Sequence, residues 1–312
     1  MTKRFKTGLA ATAAALAFVA SPAAADHHGE AATAAAATTV EAVNVDPAIW
    51  VVEDEDTTIY LFGTFHAMKA GVDWFNDEVK TSYDAADQVV VELVPPENPA
   101  EMQPLIMKYA IDMTGTPLSA ELSEEGRAAL HATLAQMGAP AQAFDMFKPG
   151  FANIALTAGL MPGMGFEEGL GVDKTIIAAA NADGKPIHQL ETMEEQLAVL
   201  TTSISEEEQL EMLEQTLADL DEMDDMLEGM LAAWKTGDEA HFVELFGELN
   251  DQSEAFYTAM LTDRNAKWAE WIDARMDEPG QVFIAVGAGH LAGEKSVQEF
   301  LAARDITVTR IQ

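Results

Sequence analysis

Two of the seven histidines differ from the others in what precedes them. His66 follows Tyr60-Leu61-Phe62-Gly63 and His290 follows Ile284-Ala285-Val286-Gly287. Each closes a Gly-x-x-His turn after a β-favouring run, and the two stretches align without a gap. A glycine at a strand end permits positive φ or close backbone approach, so Gly63 and Gly287 let the chain turn and present an imidazole in the crevice above a sheet. The other histidines offer less: His131 and His241 fall in helical patterns, His188 in a short strand, and His27 and His28 near the N-terminus. Glu92 is the carboxylate to set beside the pair. Val89, Val90, Val91, Leu93 and Val94 surround it. Such a run, apolar on both faces, belongs inside a sheet, where a carboxylate is costly unless a cation or hydrogen bonds compensate.

Two histidines and a glutamate are a suitable ligand set for a borderline divalent ion. His66, Glu92 and His290 would bind Zn, Mn or Co and leave a position open for an activated water. The same trio also supports metal-free hydrolysis, with a histidine as general base oriented by the carboxylate. Both chemistries fit the residues. Glu191, which ends another short strand, and Arg264, in an otherwise acidic helix, are secondary candidates; Arg264 is either a salt-bridge partner or an electrophilic clamp on substrate. Cysteine is absent, which excludes a disulfide framework, a thiolate metal site and a cysteine nucleophile.

The elements that must position these residues can be read from the pattern. Ile49 to Val52 and Thr58 to Phe62 predict a hairpin turning at Glu53-Asp54-Glu55-Asp56. A helix over 73–86 and a strand over 88–94 follow, forming a βαβ unit that brings Glu92 to the sheet edge where His66 sits, in the adjacent strand. A second unit repeats this plan at the C-terminus, with a strand over 282–286, a helix over 294–304 and a strand over 306–311. Between them, a helix over 173–182 leads through Gly184 to a strand over 187–190 that ends on Glu191. Ligands of open α/β sheets gather at these carboxyl ends. The topology therefore predicts an asymmetric site, with His66 and Glu92 as the reactive pair and His290 closing it from across the sheet.

The remainder reads as helical. Ser123 opens a helix that Gly138 closes, and Ser205-Glu206-Glu207-Glu208 is a capping box for another. That second helix carries Leu210, Leu213, Leu217, Leu220, Leu227, Leu231 and Trp234 on one stripe. A turn at Gly237 then leads to a partner bearing Phe242, Leu245, Phe246 and Leu249. The pair predicts an acidic helical hairpin against the sheet. Met212, Met223, Met226 and Met230 along it read as adaptable core packing.

Residues 1–25 have the form of a secretory signal: Lys3, Arg4 and Lys6, an apolar stretch, then Ala23-Ala24-Ala25. The expectation is a periplasmic or secreted protein without a stable membrane anchor, having an Ala-rich disordered tether over 26–45 and one domain over 46–312. The formal charge of −36 repels phosphate backbones, which argues against nucleic acid as a partner and leaves a peptide or a small molecule as substrate. No feature of the chain specifies an oligomeric state.

Several motifs occur in order: Leu61-Phe62-Gly63-Thr64-Phe65-His66, Glu92, Leu190-Glu191-Thr192 with Gln196, Arg264-Asn265 with Trp268, and Val286-Gly287-Ala288-Gly289-His290-Leu291 with Gly293. As a set, spanning roughly 48–312, the chain resembles the TraB/GumN family, which is related to the TIKI metalloproteases and more distantly to erythromycin esterases and haem-binding ChaN proteins. The resemblance implies an α/β fold with a central mixed, largely parallel sheet flanked by helices and an inserted helical hairpin. It also implies a site built from His66, His290 and Glu92. The activities implied are metal-dependent cleavage of peptide or ester bonds or, alternatively, non-catalytic binding of haem or another small ligand in the same crevice.

Overall fold

The structure is a computed structural model and describes residues 42–96 and 98–312. The signal segment and nearly all of the tether lie outside the described residues. Ile49–Glu53 (β1) and Thr57–Thr64 (β2) form the expected hairpin, with Ile49 opposite Phe62 and Glu53 opposite Thr58. Asp54 holds the turn, its Oδ1 accepting from the backbone N–H groups of Asp56 and Thr57, the local bond that makes aspartate a turn former. Gln88–Val91 (β3), Ile187–Gln189 (β4), Gly280–Gly287 (β5) and Thr309–Arg310 (β6) complete a six-stranded sheet in the order β4-β3-β5-β2-β1-β6. Only β1 runs against its neighbours, so the sheet is mixed and largely parallel, as expected.

Along the chain the longer helices are Asp77–Ala85 (α1), Glu124–Gln136 (α2), Pro149–Leu160 (α3), Val172–Asp183 (α4), Met193–Thr202 (α5), Glu206–Ala218 (α6), Met223–Thr236 (α7), Glu239–Gln252 (α8), Asp263–Met276 (α9) and Val297–Ala302 (α10). Strand alternation sorts the sheet's side chains onto two faces. Phe62, Val89, Val91, Phe283 and Ala285 pack with α1, α4, α7 and α8, whereas Leu61, Val90, Val282, Ile284 and Val286 pack with α9 and α10. A third cluster joins Leu130 and Leu134 of α2 to Ala152 and Leu156 of α3 and to Leu213 and Leu217 of α6.

Three expectations need correction. Helix α1 does connect β2 to β3, but β5 lies between them. The strand leading to Glu92 is therefore not adjacent to the strand leading to His66. This follows because β5 is apolar on both faces and gains ladder partners on both edges by entering the middle of the sheet. The C-terminal unit also ends differently from the N-terminal one, since β6 has only two residues and pairs with β1 at the far edge. Finally, the long Leu-striped helix is two. It breaks at Asp219 and a short turn over Leu220–Glu222, which lets Leu213 and Leu217 serve the third cluster while Leu227 and Leu231 turn to the main core. The hairpin is thus α7 and α8, joined at Gly237, which adopts φ 61°. Met212, Met223, Met226 and Met230 are buried in the core, as expected.

Candidate active site

Strand ends bring the candidate residues together. The ladder between β3 and β4 continues one step beyond both strands: Leu190 N–H donates to Val91 O and Glu191 N–H to Glu92 O, each at 3.0 Å. This sets the two glutamates side by side, each just past its strand. Thr192 caps α5 in a reciprocal box with Glu195. Gln196, in that helix's first turn, donates to Glu191 Oε1 at 3.1 Å and to Glu92 Oε2 at 3.4 Å. Arg264 enters from the first turn of α9, and His290 from the turn Ala288–Leu291 after β5.

Arg264 is the hub, and every one of its five N–H donors is engaged. Nε donates to Glu191 Oε2 at 2.9 Å. Nη1 donates to Met260 O and to His290 Nε2, both at 3.0 Å. Nη2 donates to Glu92 Oε2 at 2.8 Å and to Glu191 Oε1 at 2.5 Å. The ring of Trp268 lies 4.8 Å below the guanidinium carbon, a cation–π contact. A guanidinium so saturated has no donor left for a substrate. Of its two expected roles, salt-bridge partner and clamp, Arg264 fills the first.

These bonds also assign His290. Because Arg264 can only donate, His290 Nε2 is an acceptor and the ring proton sits on Nδ1, directed at Asn265 Oδ1 2.5 Å away. Asn265 Nδ2 in turn donates to Lys295 O at 2.8 Å, which fixes the amide orientation. Burial and the neighbouring Arg264 cation push the His290 pKa down to about 3, so the ring is neutral at ordinary pH. Glu92 is opposite in sense: burial disfavours its charge, but Arg264, the histidines and the Gly287 N–H bond at 2.6 Å hold its pKa at about 2. Glu191 is pushed upward by burial, which its bonds to Arg264 offset only partly, and by Glu92 beside it.

His66 has a partner that the sequence reading missed. The N-terminus of α4 is seated on the turn after β2, with Val172 N–H donating to Phe65 O at 2.9 Å. Gly171 is pressed so close that a Cβ there would run into the His66 carbonyl oxygen. Asp173 consequently places Oδ1 3.4 Å from His66 Nδ1, and neither atom has another hydrogen-bond partner among the described residues. Burial opposes charge on His66, but Asp173, with Glu92 behind it, outweighs burial and raises the pKa. The only sequence cue was an aspartate opening the helix after Gly171, a position that reads as an ordinary helix start.

His66 Nε2 faces the other way, toward Gly287 and a cleft lined by Thr64, His66, Glu92 and the Gly287-Ala288-Gly289-His290 turn. Helices α7 and α8 roof it. The two glycines act by close approach, since neither has positive φ. A Cβ on Gly63 would lie 3.1 Å from Ala288 Cα, and one on Gly287 would lie 3.1 Å from Glu92 Oε1.

The expected ligand trio gathers around Gly287 without the arrangement of a cation site. Among the described residues no group of three His, Asp or Glu side chains is placed to hold a metal ion. The reason is chemical: the His290 lone pair and Glu92 Oε2 are committed to Arg264, whose guanidinium already supplies the positive charge there.

The model of the TraB/PrgY/gumN family matches residues 48–310, from β1 to β6. The chain belongs to that family. Among curated proteins, this TraB/PrgY/gumN member is similar to the uncharacterized protein YbaP of Escherichia coli and of Shigella flexneri. Each is 28% identical over 139 residues, 44% of this chain and 50% of the relative. The match thus spans about half the length of the curated relatives. No solved structure matches the chain significantly. Family membership agrees with the resemblance in the motifs, and His66, Glu92, Glu191, Arg264 and His290 all lie within the matched span.

Proposed function

We propose that this chain is a hydrolase of peptide or ester bonds, acting in the periplasm or outside the cell, with His66 as general base. One observation carries the reading: His66 presents Nε2 to the cleft while Nδ1 faces a buried carboxylate, the disposition a base requires. With its proton on Nδ1 toward Asp173, the ring takes a proton at Nε2 as the water oxygen attacks the carbonyl carbon. It then returns that proton to the departing alkoxide or amine, so that a carboxylic acid and an alcohol or amine leave and the neutral ring is restored. Asp173 and Glu92 favour the transient imidazolium, as the raised pKa indicates. Arg264 acts by positioning Glu92, Glu191 and His290 rather than by touching substrate.

Purified protein assayed on neutral ester and peptide substrates, with and without chelator, tests this. Activity that persists in chelator and disappears in His66→Ala supports the metal-free base. Loss in chelator with recovery on adding Zn, Mn or Co, and lower metal content in His66→Ala and His290→Ala, would replace it with the metal-assisted version, which requires Arg264 to release His290 and Glu92. No turnover, combined with a haem Soret shift lost in both variants, would make the cleft a binding crevice. The basic and apolar N-terminal segment supports export, and a mature N-terminus immediately after Ala25 would verify it.

A further inference from the structure

The cleft is divided by chemistry. Its roof consists of Met161, Leu227, Met230, Phe242, Phe246 and Leu261, all buried and none with a strong hydrogen-bonding group. Its polar groups gather at the floor, and most are already committed. Arg264 has no spare donor, His290 is bonded at both nitrogens, and Gly287 N–H is held by Glu92. Two groups remain. His66 offers Nε2, and Thr64, which lines the same cleft and is 3% exposed, has a buried hydroxyl with no partner among the described residues. An unpartnered buried hydroxyl beside a reactive imidazole calls for one polar group on a ligand.

We infer that the cleft takes a neutral acyl ester with a flexible aliphatic chain, its carbonyl oxygen accepting from the Thr64 hydroxyl, its carbonyl carbon beside His66 and its hydrocarbon under α7 and α8. The inference rests on the hydrolase reading for turnover but not for binding. A peptide fits less well, because each amide lying under this roof would lose water without finding a replacement partner. A free fatty acid or a phosphate-bearing acyl carrier is disfavoured by Glu92, Glu191 and Asp173 around the floor and by the chain's −36 charge. Unbranched chains suit a roof in which Met161 and Met230 can adapt their shape. Gly289 sets the height of the roof, since a Cβ there would run into the ring of Phe246.

Alkyl methyl ketones of increasing length test the inference, because they keep the carbonyl and chain but have no bond to hydrolyse. In calorimetric titrations of the full chain, the dissociation constant should fall about fourfold per added methylene until the roof is filled, then level off. Phe246→Ala should move that plateau to longer chains and Gly289→Ala to shorter ones. Thr64→Val should weaken every ketone by the same factor, roughly five- to tenfold, whatever its length. His66→Ala should still bind. Affinity independent of chain length in the wild-type protein would overturn the inference without recourse to any variant. So would neutral dipeptide amides that bind as tightly as ketones of equal apolar area. Ketone binding without ester turnover would remove the hydrolase reading and leave this one standing, whereas turnover of acetyl esters without ketone binding would do the reverse.

Discussion

His66 and His290 stand in similar turns yet have opposite electrostatics, because one faces Asp173 and the other faces Arg264. Catalysis by neutral His66 should therefore rise with pH through a single ionisation above the ordinary 6.5, since Asp173 and Glu92 hold the proton on. Asp173→Asn should lower both that midpoint and the rate, as pH profiles of kcat/KM would show; an unmoved midpoint would remove Asp173 from the role. His290 has the reverse linkage. Its folded pKa of about 3 lies below the unfolded 6.5, so the stability from keeping it neutral is present above pH 6.5 and lost as pH falls toward 3. Glu92 adds loss between 4.5 and about 2, while the raised pKa of Glu191 works in the opposite sense. Removing the hub is more severe. Arg264→Met leaves two buried carboxylates uncompensated and should cost about 3–5 kcal/mol at neutral pH. The deficit should shrink toward pH 5 as they take up protons, and denaturant titrations at pH 5 and 8 would detect this.

At the scale of elements, the site depends on how closely helices approach the strand ends. Helix α4 meets the turn after β2 with no room for a side chain at Gly171. Gly171→Ala should cost about 1–3 kcal/mol by forcing backbone apart. It should also move the His66 imidazole resonances by withdrawing Asp173, so NMR of the ring separates a local displacement from simple destabilisation. Helix α7 approaches the same turn, Trp234 Nε1 donating to Gly63 O at 2.8 Å. Two helix starts were legible because capping is local: Ser123 and Ser205 each accept a backbone N–H as their sequence context predicts. The break at Asp219 was not legible, because the Leu stripe runs through it unchanged and only the positions of two separate cores decide where the helix divides.

Across the whole molecule, the −36 charge repels itself, and salt screens that repulsion over about 10 Å at 0.1 M. The melting temperature should rise between low salt and 0.5 M NaCl, as scanning calorimetry would show; a fall would mean that surface ion pairs such as Lys108–Glu194 outweigh the net repulsion. Among the described residues no helix is long and apolar enough to cross a membrane. The sequence by itself determined the α/β class, the largely parallel sheet and the strand ends that deliver His66, Glu92, Glu191 and His290, because periodicity, glycines and caps act over a few residues. Only the tertiary structure decided how those residues pair. The entry of β5 between β2 and β3 separated the His66 strand from the Glu92 strand, the approach of α4 gave His66 Asp173 as its partner, and the arrival of α9 bonded Arg264 to Glu92 and His290. Each is a contact between residues dozens or hundreds of positions apart, selected by which apolar faces could be buried together, and one-dimensional patterning carries no record of that choice.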